Sequence, residues 1–292
     1  MFRINGYPVQ IQRYPDGAPR LHIAADGDGA PRQETFAGAG GALIQWFYEK
    51  DEEMLLFFIT KHLRTLCAVD RLTLHMPYIP HARMDRVKDK TEVFTLKYFC
   101  AFINSLHFDR VIVRDAHSFV SLALLDNVEA EPIEEAIKTL IHDLLDPARD
   151  IVFYPDEGSC KRYTADIPFP CAFGVKKRDW GTGAILGLDL HGDLPPAPFN
   201  ALIIDDISSY GGTFLHAARK LKELGAEKLY LYVTHCENTI LEGELIHSGL
   251  LERIYTTRSI YTGEHPLIEV IEGIGEIKGS QDGNGIGGDG NG

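Results

Sequence analysis

The stretch from Ala201 to Gly225, ALIIDDISSYGGTFLHAARKLKELG, constrains the fold of this chain more than any other. A short apolar run, Leu202 to Ile204, ends in two carboxylates, Asp205 and Asp206. Ser208, Ser209, Tyr210, Gly211, Gly212 and Thr213 follow, all small except the tyrosine. Apolar residues then recur at helical spacing: Phe214, Ala217, Ala218, Leu221 and Leu224. Gly225 stands where a helix closes on a left-handed residue, a conformation that glycine adopts cheaply. A second apolar run, Leu229 to Val233, begins shortly after. The pattern predicts strand, loop, helix and strand, the repeating unit of an α/β domain.

The chemistry of that loop follows from its position. Unpaired N–H groups and the positive end of the dipole make a helix N-terminus attractive to an anion. Gly211 and Gly212 let the backbone approach closely, and the Ser and Thr hydroxyls add donors. The tandem acids sit at the carboxyl end of a strand, where open α/β sheets bind ligands. Two carboxylates repel a phosphate, but they accept hydrogen bonds from neighbouring hydroxyls. An anion cradle beside a diol acceptor describes a phosphorylated sugar such as ribose 5-phosphate. The loop is not a P-loop, because no Gly-Lys-Ser/Thr follows, and its glycine spacing is not that of a dinucleotide fingerprint.

Composition narrows the classes. A chain of 292 residues suggests two domains. The net charge of −13 argues against a nucleic-acid surface. No apolar run approaches the ~18 residues of a membrane span, and the N-terminus carries no signal-peptide pattern. The cysteines, Cys67, Cys100, Cys160, Cys171 and Cys236, are scattered and form no C-x-x-C pair. Free thiols in a cytoplasmic protein are the expectation. Residues 278–292 are rich in Gly, Asn and Asp with one Ile, cannot bury a core, and are expected to be a disordered tail.

The Asp205–Thr213 stretch resembles the phosphoribosyl-diphosphate (PRPP) binding motif, two acids before a turn of the form Asp-Thr-Gly-Gly-Thr. Asp205, Asp206, Gly211, Gly212 and Thr213 match, while Ser209 and Tyr210 replace Asp and Thr. Four further segments resemble those of the PRPP synthetases, in the same order. Arg13-Tyr-Pro-Asp-Gly17 is similar to a loop that receives ATP from a neighbouring subunit. Pro77-Tyr-Ile-Pro-His-Ala-Arg-Met-Asp85 resembles Pro-Tyr-x-x-Tyr-Ala-Arg-Gln-Asp. Pro155-Asp-Glu-Gly-Ser-Cys-Lys-Arg162 resembles Pro-Asp-x-Gly-Gly-x-x-Arg. Lys176-Lys-Arg178 opens a stretch similar to the flexible catalytic loop. Asp115-Ala-His117 stands for an Asp-Leu-His element. After Thr234-His235 the match stops at Cys236.

The resemblance implies an α/β fold of two tandem type I phosphoribosyltransferase-like domains, with mainly parallel sheets flanked by helices. The halves are expected at 1–146 and 147–277. It implies transfer of the β,γ-diphosphate of ATP to the C1 hydroxyl of ribose 5-phosphate, with release of AMP. Lys176 and Arg178 are then catalytic. Asp16, Gly17, Arg83, Met84, Asp85 and His117 meet ATP. Asp205 and Asp206 hold the ribose diol, and Ser208, Ser209, Tyr210, Gly211, Gly212 and Thr213 the 5-phosphate. Mg2+ is the implied cofactor, held by His117 and Asp156, with Asp115 as a further candidate. A homo-oligomer, dimer or hexamer, is implied as well. The aromatic at Tyr210 opens a narrower alternative, ADP-ribose as acceptor, whose larger 5′ substituent could stack on the ring. A phosphoribosyltransferase and a non-catalytic PRPP-binding regulator remain open as other classes.

Overall fold

A computed structural model describes residues 1–23, 41–67, 69–178, 185–192 and 194–271, with the backbone alone for 176–178 and 185–188. The expected tail at 278–292 lies outside the described residues. The first half contains β1 (Phe2–Ile4), β2 (Tyr7–Arg13), β3 (Pro19–Ile23), β4 (Gly41–Trp46), helix α1 (Glu53–Thr65), β5 (Arg71–Met76), α2 (Thr95–Ser105), β6 (Arg110–Arg114), α3 (Phe119–Leu124) and β7 (Val128–Glu131). Helix α4 (Glu134–Leu144) leads to the second half: β8 (Ile151–Tyr154), α5 (Glu157–Tyr163), β9 (Cys171–Arg178), β10 (Ile185–Gly192), β11 (Phe199–Ser208), α6 (Gly212–Glu223), β12 (Ala226–Cys236), α7 (Glu244–His247), β13 (Arg253–Thr257) and β14 (Ile268–Ile271).

The strands form two seven-stranded sheets, in the orders β3-β2-β1-β4-β5-β6-β7 and β10-β9-β8-β11-β12-β13-β14. In each sheet the last four strands run parallel in chain order, and the first three lie on the other flank. This repetition is the tandem α/β arrangement expected from the sequence. The copies differ at two seams: β1 meets both β2 and β4 antiparallel, whereas β8 meets both β9 and β11 parallel.

The central strands β8 and β11 are largely buried because both faces are covered. Ile151 and Phe153 of β8 face one core with Ala201, Ile203, Leu229 and Leu231, under α6. The alternate residues Val152 and Tyr154 face another with Leu202, Ile204 and Tyr232. Helix α4 closes that second core through Ile137 and Ile141. The helix therefore packs on the second sheet, although the sequence places it in the first half. Its apolar stripe, and not its place before Pro147, decides which sheet it joins. By packing, the division falls between β7 and α4 and not at residue 146.

Local chemistry sets the ends of the elements around the site. Gly225 ends α6 at φ +98°, as its position predicts. Asp156 caps α5, its Oδ1 accepting from the backbone N–H of Gly158 at 3.0 Å and of Ser159 at 3.1 Å. β11 runs on through Asp205, Asp206 and Ser208, with Ser208 in register with Cys236. No helix among the described residues is long and apolar enough to cross a membrane.

Candidate active site

The carboxyl ends of β6 and β11, from different halves, meet. His117, just beyond β6, places Nδ1 2.6 Å from Oδ2 of Asp206. Arg162 of α5 reaches the same place: its Nη1 lies 3.5 Å from Asp206 Oδ2 and 3.6 Å from Asp115 Oδ1. Its Nη2 donates to the backbone carbonyl of His117. Asp115 Oδ2 accepts from the Tyr163 hydroxyl at 2.7 Å and from the Thr234 hydroxyl. Asp115 holds these contacts at φ +37°, an uncommon conformation for a non-glycine residue and one that surrounding structure must enforce.

The acids divide their charge. Burial pushes Asp205 well above the usual carboxylate range, and neighbouring Asp206 and Asp156 add to the shift. Burial presses Asp206 the same way, but the His117 hydrogen bond and the charges of His117 and Arg162 outweigh it, so Asp206 is held below that range. The Asp206 hydrogen bond in turn raises His117. Burial, then Asp206, pushes Asp115 up to about 6. Asp206, held by His117 and Arg162, is 4% exposed and turned to the first half. Asp205 is the more accessible of the two. The pair expected to grip a diol is therefore asymmetric: Asp206 serves the contact between halves, and Asp205 is left the more exposed.

The loop after β11 stays open where an anion would enter. Gly211 precedes α6 at φ +81°, and no side chain caps the helix. A Cβ on Gly212 would meet nothing within 4 Å. Tyr210 is 55% exposed. The other side of the turn is braced by the segment where the family match ended. A single 3-10 turn, Asn238–Glu242, lies here, and Thr239 Oγ1 stands 3.2 Å from Ser209 Oγ. Leu245 covers Gly211, where a Cβ would approach its Cδ2 to 2.7 Å. A Cβ on Gly243 would stand 1.9 Å from the carbonyl oxygen of Tyr210. Gly243→Ala is accordingly expected to push the turn off this brace at a cost of about 1–3 kcal/mol, read by urea denaturation. An unchanged midpoint would mean that the turn does not rest there.

The loop between β5 and α2 also arrives at the site. Tyr78 packs edge-on against the His235 ring, centroids 5.1 Å apart. Burial pushes the Tyr78 hydroxyl up to about 12. Arg83 Nη1 pairs with Glu237 Oε1 at 2.9 Å. Asp85 is close enough to His117 to contribute to its raised pKa.

Some expected residues sit elsewhere. Met84 packs against the first core, because its side chain is apolar where the family has Gln. Asp16 and Gly17 form the tip of the β2–β3 hairpin, Asp16 Oδ1 accepting from Ala18 N at 3.0 Å. Lys176 and Arg178 belong to β9, and their side chains lie outside the description. Sequence reasoning missed Arg162, Thr234, Glu237 and Thr239. Arg162 stood in a quoted motif without a role, whereas Glu237 and Thr239 lay where the resemblance stopped.

No three His, Cys, Asp or Glu side chains among the described residues converge as a ready metal cage. Mg2+ does not need one, since it commonly takes one or two carboxylates with substrate phosphates and waters. Asp156 and Asp205 fit that requirement, because the Asp156 carboxylate lies close enough to Asp205 to add to its upward shift. Asp115 fits poorly: Oδ2 receives two hydroxyls and Oδ1 faces Arg162. His117 points Nδ1 at Asp206, the arrangement that orients a histidine toward a ligand through its other nitrogen.

No family model matches the chain. It is 29% identical over 283 residues to the ribose-phosphate pyrophosphokinase of Haemophilus influenzae, covering 92% of this chain and 82% of that one. It is 31% identical over 213 residues to that of Bradyrhizobium diazoefficiens, covering 70% and 65%. It is 28% identical over 271 residues to the chloroplastic ribose-phosphate pyrophosphokinase 2 of Oryza sativa, covering 88% and 63%. The match thus spans just under two thirds of the length of the last two. The crystal structure of phosphoribosylpyrophosphate synthetase from Mycobacterium smegmatis superposes with a TM-score of 0.70 over 91% of this chain and 86% of that one, at 18% identity. Shared architecture over nearly the whole chain, together with sequence similarity to many bearers of one name, makes this chain a divergent member of the ribose-phosphate pyrophosphokinase family.

Proposed function

We propose that the protein transfers the β,γ-diphosphate of ATP to the C1 hydroxyl of ribose 5-phosphate. The observation that carries this reading is the junction at the end of β11. An accessible acid, Asp205, lies beside an uncapped helix N-terminus whose glycine approach is open. Asp205 accepts the sugar hydroxyls, and the N–H groups of Gly212 and Thr213 receive the 5-phosphate. Arg83 and His117 meet the phosphates of ATP. The C1 oxygen attacks the β phosphorus, the bond from that phosphorus to the α,β-bridging oxygen breaks, AMP departs, and the C1 hydroxyl proton is lost. Lys176 and Arg178 stabilise the charge on the transferring group. Asp156, with Asp205 beside it, would hold Mg2+, which would supply further positive charge to the phosphate oxygens. Asp115 orients neighbouring groups instead of binding the metal.

A second acceptor, ADP-ribose, is favoured by one observation. Tyr210 projects into solvent from the tip of the phosphate loop, with its carbonyl fixed against Gly243. An exposed, anchored ring suits stacking by an adenosine attached through the 5-phosphate. The test is incubation with ATP, Mg2+ and each sugar, followed by product masses. Ribose 5-phosphate is expected to give its 1-diphosphate and one AMP. An ADP-ribose 1-diphosphate product in preference would establish the second acceptor. AMP released with neither sugar present, or with neither consumed, would overturn the reading.

A further inference from the structure

Glu237 belongs to a segment without a counterpart in the motifs, yet it touches both substrate loops. Its Oε1 pairs with Arg83 Nη1 at 2.9 Å. Its Oε2 accepts from the Thr239 hydroxyl at 3.3 Å. That hydroxyl has one hydrogen, so Ser209 must be the donor in the 3.2 Å contact between Ser209 and Thr239. The backbone fixes the geometry: Glu237 N–H donates to the Ser208 carbonyl at 2.9 Å. The result is an unbroken relay, Arg83 to Glu237 from one end, Ser209 to Thr239 to Glu237 from the other.

Both ends carry groups that an anion would claim. Arg83 must leave Glu237 to meet a triphosphate. Ser209 must turn its hydrogen from Thr239 to reach a sugar phosphate. Once Arg83 leaves, the Glu237 carboxylate has lost its counter-charge and holds the Thr239 hydroxyl more firmly. It also presents negative charge toward the phosphate loop. Resting on the reading proposed above, we infer that Glu237 and Thr239 are positioning residues that set ATP and the sugar 5-phosphate against one another. Each ligand lowers the affinity of the site for the other through this relay. By linkage the effect is reciprocal.

The pair is half-exposed, so replacing it should leave the fold intact. The experiment is calorimetric titration of the full chain with α,β-methylene ATP, which cannot undergo the transfer, with and without saturating ribose 5-phosphate. The ratio of the two dissociation constants measures the coupling. Glu237→Gln keeps the shape and removes the charge. Thr239→Val keeps the Arg83–Glu237 pair and cuts the link to Ser209. Each is expected to shift the ratio about fivefold toward tighter joint binding, and Thr239→Ser to restore it. If either Glu237→Gln or Thr239→Val leaves the ratio within about twofold of wild type, the relay is refuted. If both ligands bind but independently, this inference fails while the proposed reaction stands. If neither binds, both fail.

Discussion

Replacing Arg162 by leucine is expected to destabilise the protein by about 3 kcal/mol, because it strips the counter-charge from buried carboxylates. Its Nη1 lies within 3.6 Å of both Asp115 and Asp206, whose side chains are 5% and 6% exposed. No other Lys or Arg among the described residues forms an ion pair with either. The loss should depend on pH, with a sign that Asp115 sets. Its folded pKa, about 6, lies above the ordinary 3.8. A carboxyl that binds its proton more tightly when folded gains stability as pH falls from about 6 toward 3.8, and loses it as pH rises. Arg162 moderates that upward shift, so its removal widens the window. Asp206 runs the other way: its depressed pKa contributes stability above 3.8 that is lost on acidification, and Arg162 is one cause of the depression. Both effects make the leucine variant worst at neutral and higher pH. Urea denaturation at about pH 8 and about pH 5.5 should show the deficit shrinking in acid. Arg162→Lys should recover part of it, as a point charge without the planar fork. A deficit equal at both pH values would assign the effect to packing over the Tyr163 ring, whose centroid lies 5.9 Å away.

The same residues show where sequence reading stops. Ile151–Tyr154 is an unbroken apolar run, whereas Arg71–Met76 and Arg253–Thr257 mix apolar with polar residues and are still buried over most of their length. β11 was read too short, since Asp205, Asp206 and Ser208 look like a loop by composition. They stay in the ladder because the neighbouring β12 continues opposite them. Helix α4 begins only at Glu134, since Glu131 ends β7, where its buried carboxylate receives Arg114 and His75. Helix α2 begins only at Thr95, since Thr91 is held by the Asp89 side chain in a turn. Pairings between halves had no local signature. His117 and Asp206 stand 89 positions apart, and Asp115 and Thr234 stand 119 apart. Only the fold discloses that the second tandem acid faces the first half. Glu237 was invisible for a different reason: resemblance ended one residue before it, at Cys236.

Lys176→Ala is expected to lower turnover about 10²–10³-fold while ATP binding persists. The argument is one of charge. Diphosphoryl transfer spreads negative charge over the equatorial and bridging oxygens, and little covalent chemistry is left for the protein. A cation that meets those oxygens only during transfer lowers the barrier without tightening the ground state, so its loss falls on kcat. Lys176 lies in β9 in register with Leu188 of β10, and Arg178 follows two residues later in register with Ile185. That hairpin is at the flank of the second sheet, beyond β8, whose end carries Asp156. The strand order therefore puts the two cations on the same side of β11 as the residue proposed to hold Mg2+. Lys176 is proposed to act on the transferring group, whereas Arg162 holds the contact between halves. Lys176→Ala should consequently leave the urea midpoint unchanged, which separates its effect from that of Arg162→Leu. Rapid-quench measurement of AMP formed in a single turnover, beside calorimetric titration with ATP, decides the point. A variant that turns over at the parent rate would remove Lys176 from the chemistry. A loss of ATP affinity equal to the loss of rate would make it a ground-state anchor.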